Sequence, residues 1–354
     1  MELSNTLHGG SLRDLSELRP SRLPSASPLA SQLGMSSLRA NKTYQEIISI
    51  IDRRGLPGPL QTLELRKIIG QGSQFVVYSQ NVYWATNVGT EYAELAVKQP
   101  KFDLEPSKKL DPGSPQVQRC LEHIYLEIKA LAREELYHHT NIVKLLGWSY
   151  ENSFHQPITL IQELATWNLK EFLRCNKGEI GDYQTSCFCR DIAAGLDAIH
   201  KFNLIHGDLK PENVLLFVDG DTTTAKISDF GLSIDDINED VDKVLMGGTL
   251  GWMAPEIEQR QPIRPCELIK ADNYSFGLVA LSTLLESGDP PPSLSSVGIH
   301  DGRLQGNSDT KKCANSTTIH AFKALWTTLQ HDPNKRPLYL LDLIQSVALI
   351  SEDE

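Results

Sequence analysis

The sequence predicts an α+β fold of two lobes, in which a sheet lobe comes first and a larger, mainly helical lobe follows. The 354 residues exceed the size at which a single hydrophobic core stops growing, so two lobes are expected. From Leu63 to Gln99, β-branched and aromatic clusters such as "FVVYSQ" and "AELAVKQ" alternate with turn residues, as strands do. Beyond "LIQELAT", apolar residues recur at helical spacing, which places the helical lobe second.

The composition indicates a globular chain and excludes several classes of function. Hydrophobic residues make up 40% and charged residues 22%, which is enough for a buried core. The net charge of -11 argues against a nucleic-acid surface. No apolar run approaches a membrane span, and the start "MELSNTLHGG" lacks a secretory signal. We therefore expect an intracellular protein, cytoplasmic or nuclear, whose six scattered cysteines are free thiols.

The N-terminal part of the chain predicts a tail and one helix ahead of the sheet. Residues 1–42 are rich in Ser, with Pro between short apolar patches, and predict a disordered tail. Residues 43–62 predict a short helix and a linker. Thr43 and Glu46 form a capping-box pair ahead of four isoleucines, and Gly55 ends the run.

Later segments predict further helices and one long loop. After the polar connection "KFDLEPSKKLDPGSP", Leu121, Ile124, Ile128 and Leu131 recur at three- and four-residue steps, as on one face of a helix. The stretches "CFCRDIAAGLDAIHKF", "DNYSFGLVALSTLLES" and "STTIHAFKALWTTLQ" carry the same spacing. The Gly-, Pro- and Ser-rich stretch "GDPPPSLSSVGIHDGRLQGNSDT" predicts a long loop.

Three features ahead of the helical lobe fit a phosphate ligand. Gly70 and Gly72 stand between two strands, where the backbone could fold closely over phosphates because no Cβ obstructs it. Lys98 ends the apolar strand "LAVK", and Glu127 on the next helix could pair with it and hold it against a phosphate. Taken singly, each has an ordinary alternative: a Gly turn, a surface lysine and a solvated glutamate.

The stretch "LIHGDLKPENVLL" concentrates three polar groups of different chemistry. Asp208, Lys210 and Asn213 lie outside any apolar periodicity and fit a general base, a cation for phosphate and a metal-ligating amide. Shortly afterwards, Asp229 in "AKISDFGLS" offers a second metal ligand at a strand end, although an Asp turn alone would look the same.

In their order and spacing, these motifs resemble those of eukaryotic protein kinases of the serine/threonine type. The resemblance runs over residues 63–350. It implies a two-lobed protein-kinase-like fold, with a small antiparallel β-sheet N-lobe containing one key helix (63–163) and a larger, mainly α-helical C-lobe (164–350). It also implies ATP and Mg²⁺ as cofactors and a protein substrate with a Ser or Thr acceptor.

Within that resemblance, the first set of residues is expected to bind the nucleotide. Gly70 and Gly72 would cover the phosphates of ATP, Lys98 would grip the α- and β-phosphates, and Glu127 would pair with Lys98. The residues matching the adenine contacts, the gatekeeper and the start of the hinge are Val77, Ala96, Leu215, Gln162 and Glu163.

The second set is expected to carry out the transfer. Asp208 matches the catalytic aspartate, Lys210 the lysine at the γ-phosphate, and Asn213 and Asp229 the magnesium ligands. Further matches are Thr249 in the substrate-facing loop, Glu256 paired with Arg336, and the buried helix residue Asp272 beside the catalytic loop.

Two positions depart from the family pattern. Phe75 occupies the place of a third loop glycine, and Gly207 replaces the Arg that usually precedes the catalytic aspartate. In most members, an activation-segment phosphate neutralises that Arg. Here the segment "IDDINEDVDKVLMGG" between Ser233 and Thr249 contains no Ser, Thr or Tyr. We therefore expect activity that does not need phosphorylation in the middle of this segment, with the acidic run either holding it or leaving it mobile.

The expected function is an ATP-dependent protein serine/threonine kinase. One alternative is a pseudokinase that acts as a binding scaffold, which Phe75 and Gly207 favour and the retention of every catalytic residue disfavours. The other is a small-molecule kinase of related fold, which the "APE" stretch and Arg336 disfavour. The sequence names no protein substrate and no oligomeric state.

Overall fold

A computed structural model shows two compact units. It describes residues 38–58, 60–86, 89–101, 114–149, 158–235, 247–264, 267–291, 298–300, 303–305, 311–313 and 323–344. The first unit holds the described residues up to Leu121 together with Leu145–Glu163, and the second holds Glu122–Lys144 and the described residues from Leu164 onward. The predicted α+β class, with a sheet lobe first and a helical lobe second, is confirmed.

Apart from the described residues that precede position 63, the predicted N-lobe, 63–163, differs from the first unit in one stretch. Both end at Glu163, but Glu122–Lys144 group with the second unit. The reason lies in backbone pairing. The N–H of Val143 donates to the carbonyl of Ile227 at 3.0 Å, and the N–H of Ile227 donates to Asn141 at 2.9 Å, so this stretch is bonded to a strand of the second unit.

The first unit is built around a five-stranded antiparallel sheet of order β1-β2-β3-β5-β4. The strands are β1 Gln61–Gln71, β2 Phe75–Thr86, β3 Gly89–Pro100, β4 Leu145–Ser149 and β5 Thr159–Gln162. Its buried core cluster consists of Val82, Leu95, Val97, Leu146 and Ile161. The strands predicted between Leu63 and Gln99 are confirmed.

Helix α1, Leu38–Arg54, precedes the sheet and begins earlier than predicted. Thr43 lies inside it, so the capping box at Thr43 and the tail boundary at residue 42 are wrong; Leu38, Arg39 and Ala40 are good helix formers that extend the helix upstream. Residues 1–37 of the predicted tail lie outside the described residues. The buried face carries Tyr44, Ile47, Ile48 and Ile51.

The end of α1 follows the prediction. Gly55 has φ +61°, the left-handed conformation that glycine adopts without a Cβ penalty. Its N–H donates to Asp52 at 3.3 Å and the N–H of Leu56 donates to Ile51 at 3.1 Å, the paired bonds of a Schellman motif.

The segment after α1 pairs with β4, which is an end strand of the sheet. Trp148 donates its N–H to Pro57 O at 3.1 Å, and Leu60 donates its N–H to Trp148 O at 2.9 Å. Gly147 allows this approach, since a Cβ there would stand 2.6 Å from Pro57 O. Pro57 and Leu60 are therefore part of the first unit, although they lie outside the predicted kinase domain.

The remaining helices lie mainly in the second unit, and α2 spans the boundary between the units. They are α2 Pro115–Leu131, α3 Glu134–Tyr137, α4 Leu169–Cys175, α5 Asp182–Lys201, α6 Pro255–Glu258 and α7 Leu268–Leu284. Residues 323–328 and 340–344 are also helical. These confirm the predicted helices where the structure describes them. Among the described helices, none is long and apolar enough to cross a membrane.

The second unit also contains two small antiparallel sheets. The strands are β6 Trp167–Asn168, β7 Val214–Asp219, β8 Thr222–Ile227, β9 Gly298–His300, β10 Arg303–Gln305 and β11 Lys311–Cys313. β9 and β10 lie in the stretch predicted as one long loop, so that prediction is wrong there. Arg303 pairs with His300, and Gln305 pairs with Gly298, in antiparallel register.

Candidate active site

The proposed catalytic loop, residues 204–213, is held in place at both of its ends. Leu204 and Ile205 are buried, and Ile205 exchanges hydrogen bonds with Ile234 at 2.8 and 3.0 Å. Pro211 then opens a 3₁₀ turn, Pro211–Asn213, where its fixed φ is favourable and no N–H is needed. The polar residues between these anchors are thereby held in one place.

Asp208, Lys210 and Thr249 form a closed triangle of hydrogen bonds. Lys210 Nζ donates to Asp208 Oδ2 at 2.7 Å and to Thr249 Oγ1 at 2.7 Å. The Thr249 hydroxyl donates to Asp208 Oδ1 at 2.7 Å. A hydroxyl, a carboxylate and an ammonium therefore meet at one point. The structure brings these three predicted residues together.

Asn213 lies beside the same carboxylate with its amide in a defined orientation. Its Nδ2 donates to the backbone oxygen of Asp208 at 2.8 Å. Its Oδ1 accepts no hydrogen bond from the residues that the structure describes, and remains a free acceptor. A neutral amide oxygen of this kind is a ligand that Mg²⁺ accepts.

Asp229 follows β8 in a backbone conformation that is uncommon for its type. Its φ is +64°, and a residue with a Cβ held there marks a position that the surrounding structure determines. No group of three His, Cys, Asp or Glu side chains that could hold a metal ion occurs in the described part of the chain. A magnesium ion on Asn213 and Asp229 would thus need oxygen ligands from elsewhere, which suits an ion that arrives with nucleotide phosphates.

Asp272 on α7 accepts hydrogen bonds from the backbone of the catalytic loop, as predicted. Its Oδ2 accepts the N–H of His206 at 2.7 Å, and its Oδ1 accepts the N–H of Gly207 at 3.0 Å. His200 Nε2 lies 3.0 Å from Oδ2. Burial alone would raise the pKa of Asp272, but the hydrogen bond and charge of His200, with the N–H of Gly207, outweigh burial and lower it. The loop backbone is thus held by a buried carboxylate.

His206 is a positioning residue that the sequence analysis missed. Its Nδ1 accepts the N–H of Asp208 at 3.2 Å, and its Nε2 lies 2.9 Å from Ser228 O, one residue before Asp229. A carbonyl can only accept and an N–H can only donate, so the geometry fits the tautomer with hydrogen on Nε2. The signal was present in the sequence, since His206 lies two residues before Asp208.

Gly207 stands where the family pattern has Arg, and the structure gives it a steric reason. Its φ is +78°, and a Cβ there would stand 2.7 Å from the backbone oxygen of Leu232. Both facts disfavour any side chain at this position. Glycine at this position is therefore required by the packing of the loop against Leu232.

In the first unit, one face of the sheet carries the predicted nucleotide residues. Lys98 pairs with Val77 on β2 and with Leu160 on β5, and Ala96 pairs with Gln162. Lys98 Nζ lies 4.9 Å from the centroid of the Phe75 ring. Gly70 is the last residue but one of β1, and Gly72 follows β1 at the turn into β2.

The other predicted nucleotide residues are placed as follows. Glu127 on α2 is fully buried rather than solvated. Glu163 is buried after β5, and Leu215 is half-buried on β7 between the buried residues Val214 and Leu216. Lys98 lies in the first unit and Glu127 in the second, and their pairing stays a prediction.

The predicted ion pair between Glu256 and Arg336 is confirmed. The guanidinium is bidentate, with NH1 2.5 Å from Oε1 and NH2 2.9 Å from Oε2, and the Arg336 side chain is fully buried. Its Nε donates to Gln330 O at 2.7 Å, and NH2 also donates to His331 O at 3.1 Å. The end of the activation segment is thus tied to the second unit.

Asp235, the first residue of the acidic run, binds two cations at the end of α2. It forms an ion pair with Lys129, and Arg133 NH2 lies 3.7 Å from the same oxygen. Partial burial by itself would lower the pKa of Lys129. The hydrogen bond to Asp235 and the charge of that carboxylate outweigh burial and raise the pKa of Lys129. Residues 236–246 of the run lie outside the described residues.

Comparison of the sequence with known proteins identifies the family to which this chain is similar. A family profile described as "Protein kinase domain" matches residues 63–343. The serine/threonine-protein kinase CLA4 of Candida albicans is 27% identical over 274 residues, which cover 77% of this chain and 25% of that protein.

Two further relatives have higher identity over a shorter stretch. The serine/threonine-protein kinase pak-1 of Caenorhabditis elegans is 31% identical over 232 residues, which cover 63% of this chain and 33% of that protein. The serine/threonine-protein kinase STE20 of Saccharomyces cerevisiae is 30% identical over 233 residues, covering 63% of this chain and 20% of that protein. The matched part thus spans 20–33% of the length of these curated relatives.

Proposed function

This chain belongs to the protein kinase family, and from that premise we propose that it transfers the γ-phosphate of ATP to a Ser or Thr hydroxyl of a protein substrate. The observation that carries the proposal is the triangle of Asp208, Lys210 and Thr249. In it a threonine hydroxyl donates to the carboxylate while the ammonium binds both. An acceptor hydroxyl needs the same two contacts.

Asp208 orients the acceptor hydroxyl and takes its proton as the bond from the hydroxyl oxygen to the γ-phosphorus forms. The bond from that phosphorus to the bridging oxygen breaks, and ADP leaves with the electron pair. Lys210, 2.7 Å from Asp208 Oδ2, supplies positive charge where negative charge spreads over the phosphate oxygens. Positioning and charge neutralisation carry most of such a reaction, because its transition state is loose.

Asn213 and Asp229 would hold the magnesium ion, which neutralises phosphate charge when bound. Asn213 Oδ1 is suited to this because the amide nitrogen is already committed to Asp208 O at 2.8 Å. Lys98 would bind the α- and β-phosphates and Glu127 would pair with Lys98. Val77, Ala96 and Leu215 would contact the adenine, with Gln162 and Glu163 at its edge.

Gly70 and Gly72 support a nucleotide role because the packing of the chain does not demand glycine there. Neither has a left-handed φ, and a Cβ at either would meet its nearest neighbour at an ordinary 3.7 or 3.8 Å. Glycine at these two positions is explained by a ligand that approaches the backbone closely.

We also propose that activity does not require phosphorylation in the middle of the activation segment. Gly207 leaves no Arg for a phosphate to neutralise, and its φ of +78° excludes one without strain. Asp235 pairs with Lys129 and Arg133 at the start of the segment, so these two cations have a carboxylate partner without any phosphate. Phosphate mapping of active protein, followed by phosphatase treatment, tests this proposal: activity should survive removal of all phosphate.

A transfer assay tests the main proposal. The protein is incubated with labelled ATP, Mg²⁺ and a generic basic protein, beside Asp208→Asn, and the labelled amino acid is identified. Label on Ser or Thr that falls about 10²–10⁴-fold in the variant supports a kinase with Asp208 as its base. Absence of label from a folded, nucleotide-binding protein would instead favour a scaffold, a role to which the Phe75 contact with Lys98 also points.

A further inference from the structure

The ring of Phe75 covers the ammonium of Lys98 in the first unit. Phe75 opens β2, at the position of the third glycine in the family pattern. Its ring centroid lies 4.9 Å from Lys98 Nζ. The two residues are only 6% and 5% exposed, so the contact is largely shielded from water. A cation within about 6 Å of a ring face is attracted by the ring quadrupole, more strongly when water is excluded.

The strand register places this ring on the face proposed to bind the nucleotide. Val77 pairs with Lys98, and Phe75, two residues earlier on β2, pairs with Pro100. Side chains alternate along a strand, so Phe75 and Val77 share a face with Lys98 and with Ala96. Phe75 lies at the end of that face beyond Lys98, on the other side of Lys98 from Ala96, which is the side where phosphates would lie.

Hydrogen bonds on both sides of Phe75 hold the loop in this arrangement. Gly72 donates its N–H to Phe75 O at 2.9 Å, and Lys101 donates its N–H to Gln74 O at 2.7 Å. The thiol of Cys120 on α2 donates to Gln74 Oε1 at 3.1 Å. Burial raises the pKa of Cys120 to about 11, so the thiol keeps this hydrogen at neutral pH. The ring is therefore held over the ammonium by the backbone on each side.

We propose that Phe75 is a specificity-determining residue that weakens the binding of phosphate-bearing nucleotides, because a phosphate reaches Lys98 only by displacing the ring. This inference rests on the proposed function, since it assumes that this face binds ATP. A shielded cation–π contact corresponds to about 5- to 30-fold in a binding constant. Adenosine carries no phosphate and does not compete with the ring.

Calorimetric titration with ATP, ADP and adenosine tests the proposal on the full chain at fixed Mg²⁺. Phe75→Gly should bind ATP and ADP about 5- to 30-fold more tightly than the unmodified protein, while adenosine changes less than about twofold. Phe75→Leu keeps the bulk without the ring quadrupole and should show part of that gain. Phe217→Leu is the matched control, since the Phe217 ring lies 4.3 Å from Lys226 Nζ in the second unit. The Phe217→Leu variant should bind ATP, ADP and adenosine with the affinities of the unmodified protein.

The outcomes separate this inference from the proposed function. Unchanged or weaker ATP binding in both Phe75 variants, with adenosine still bound, overturns the role of Phe75 alone. An equal gain for adenosine overturns it as well. Failure of every variant and of the unmodified protein to bind either ligand overturns the nucleotide site itself. Thermal melting without ligand shows whether the Gly variant folds, and the Leu variant decides the question if it does not.

Discussion

Replacing Gly207 with Ala should destabilise the second unit by about 2–5 kcal/mol. A residue with a Cβ in the left-handed region costs about 1–2 kcal/mol. The new Cβ would also stand 2.7 Å from Leu232 O, a clash with backbone that is relieved only by movement. Overpacking of this kind adds about 1–3 kcal/mol. An Arg at this position should cost at least as much.

Gly178→Ala is the matched control, because it measures the cost of placing a Cβ at a left-handed φ without a steric clash. Gly178 has φ +86°, close to that of Gly207, but a Cβ there would meet nothing within 4 Å. Urea unfolding followed by fluorescence gives the free energy of unfolding for both variants. Gly207→Ala should lose about 1–3 kcal/mol more than Gly178→Ala. Equal losses would refute the steric explanation for the missing Arg.

Three further changes test other contacts. Arg336→Gln removes the charge that pairs with the buried Glu256 and should lower the free energy of unfolding by about 3–5 kcal/mol, measured by urea unfolding, whereas a loss below 1 kcal/mol would contradict a fully buried pair. Because the pKa of Asp272 is lowered in the folded protein, its carboxylate stabilises the fold at pH values above the unfolded pKa near 3.8, and this stabilisation is lost as the pH falls through the lower folded pKa. The loss of melting temperature caused by Asp272→Asn should therefore shrink in acid. A loss that stays constant with pH would contradict this. Gly147→Ala should lower the melting temperature because its Cβ would stand 2.6 Å from Pro57 O, and an unchanged temperature would show that the pairing with β4 is dispensable.

Local patterns predicted the elements well, because their signals lie within a few positions. The spacing of Leu121, Ile124, Ile128 and Leu131 indicated α2, and all four are buried. The grouping of polar residues in "LIHGDLKPENVLL" indicated the catalytic loop. The bonds of Asp208 with Lys210 and Thr249 then depend on tertiary folding, which brings residue 249 to residue 208.

Other features could not be read from the sequence because they depend on distant backbone. The φ of Gly207 and the approach of Leu232 O give that glycine a steric explanation, where the sequence offered only the loss of an Arg. The contact of Phe75 with Lys98 joins residues on different strands. The start of α1 was placed too late because Thr43 and Glu46 form a capping pattern that also fits a helix interior.

The pairing of Pro57 and Leu60 with β4 bears on how this protein is handled as a fragment. β4 ends the sheet, and an uncovered end strand offers free N–H and C=O groups to any other chain. Trp148 contributes one of each to Pro57 and Leu60. A fragment trimmed to the start of the family match at residue 63 would lose that cover. Such a fragment should self-associate and precipitate during expression, whereas one starting before α1 should stay dispersed.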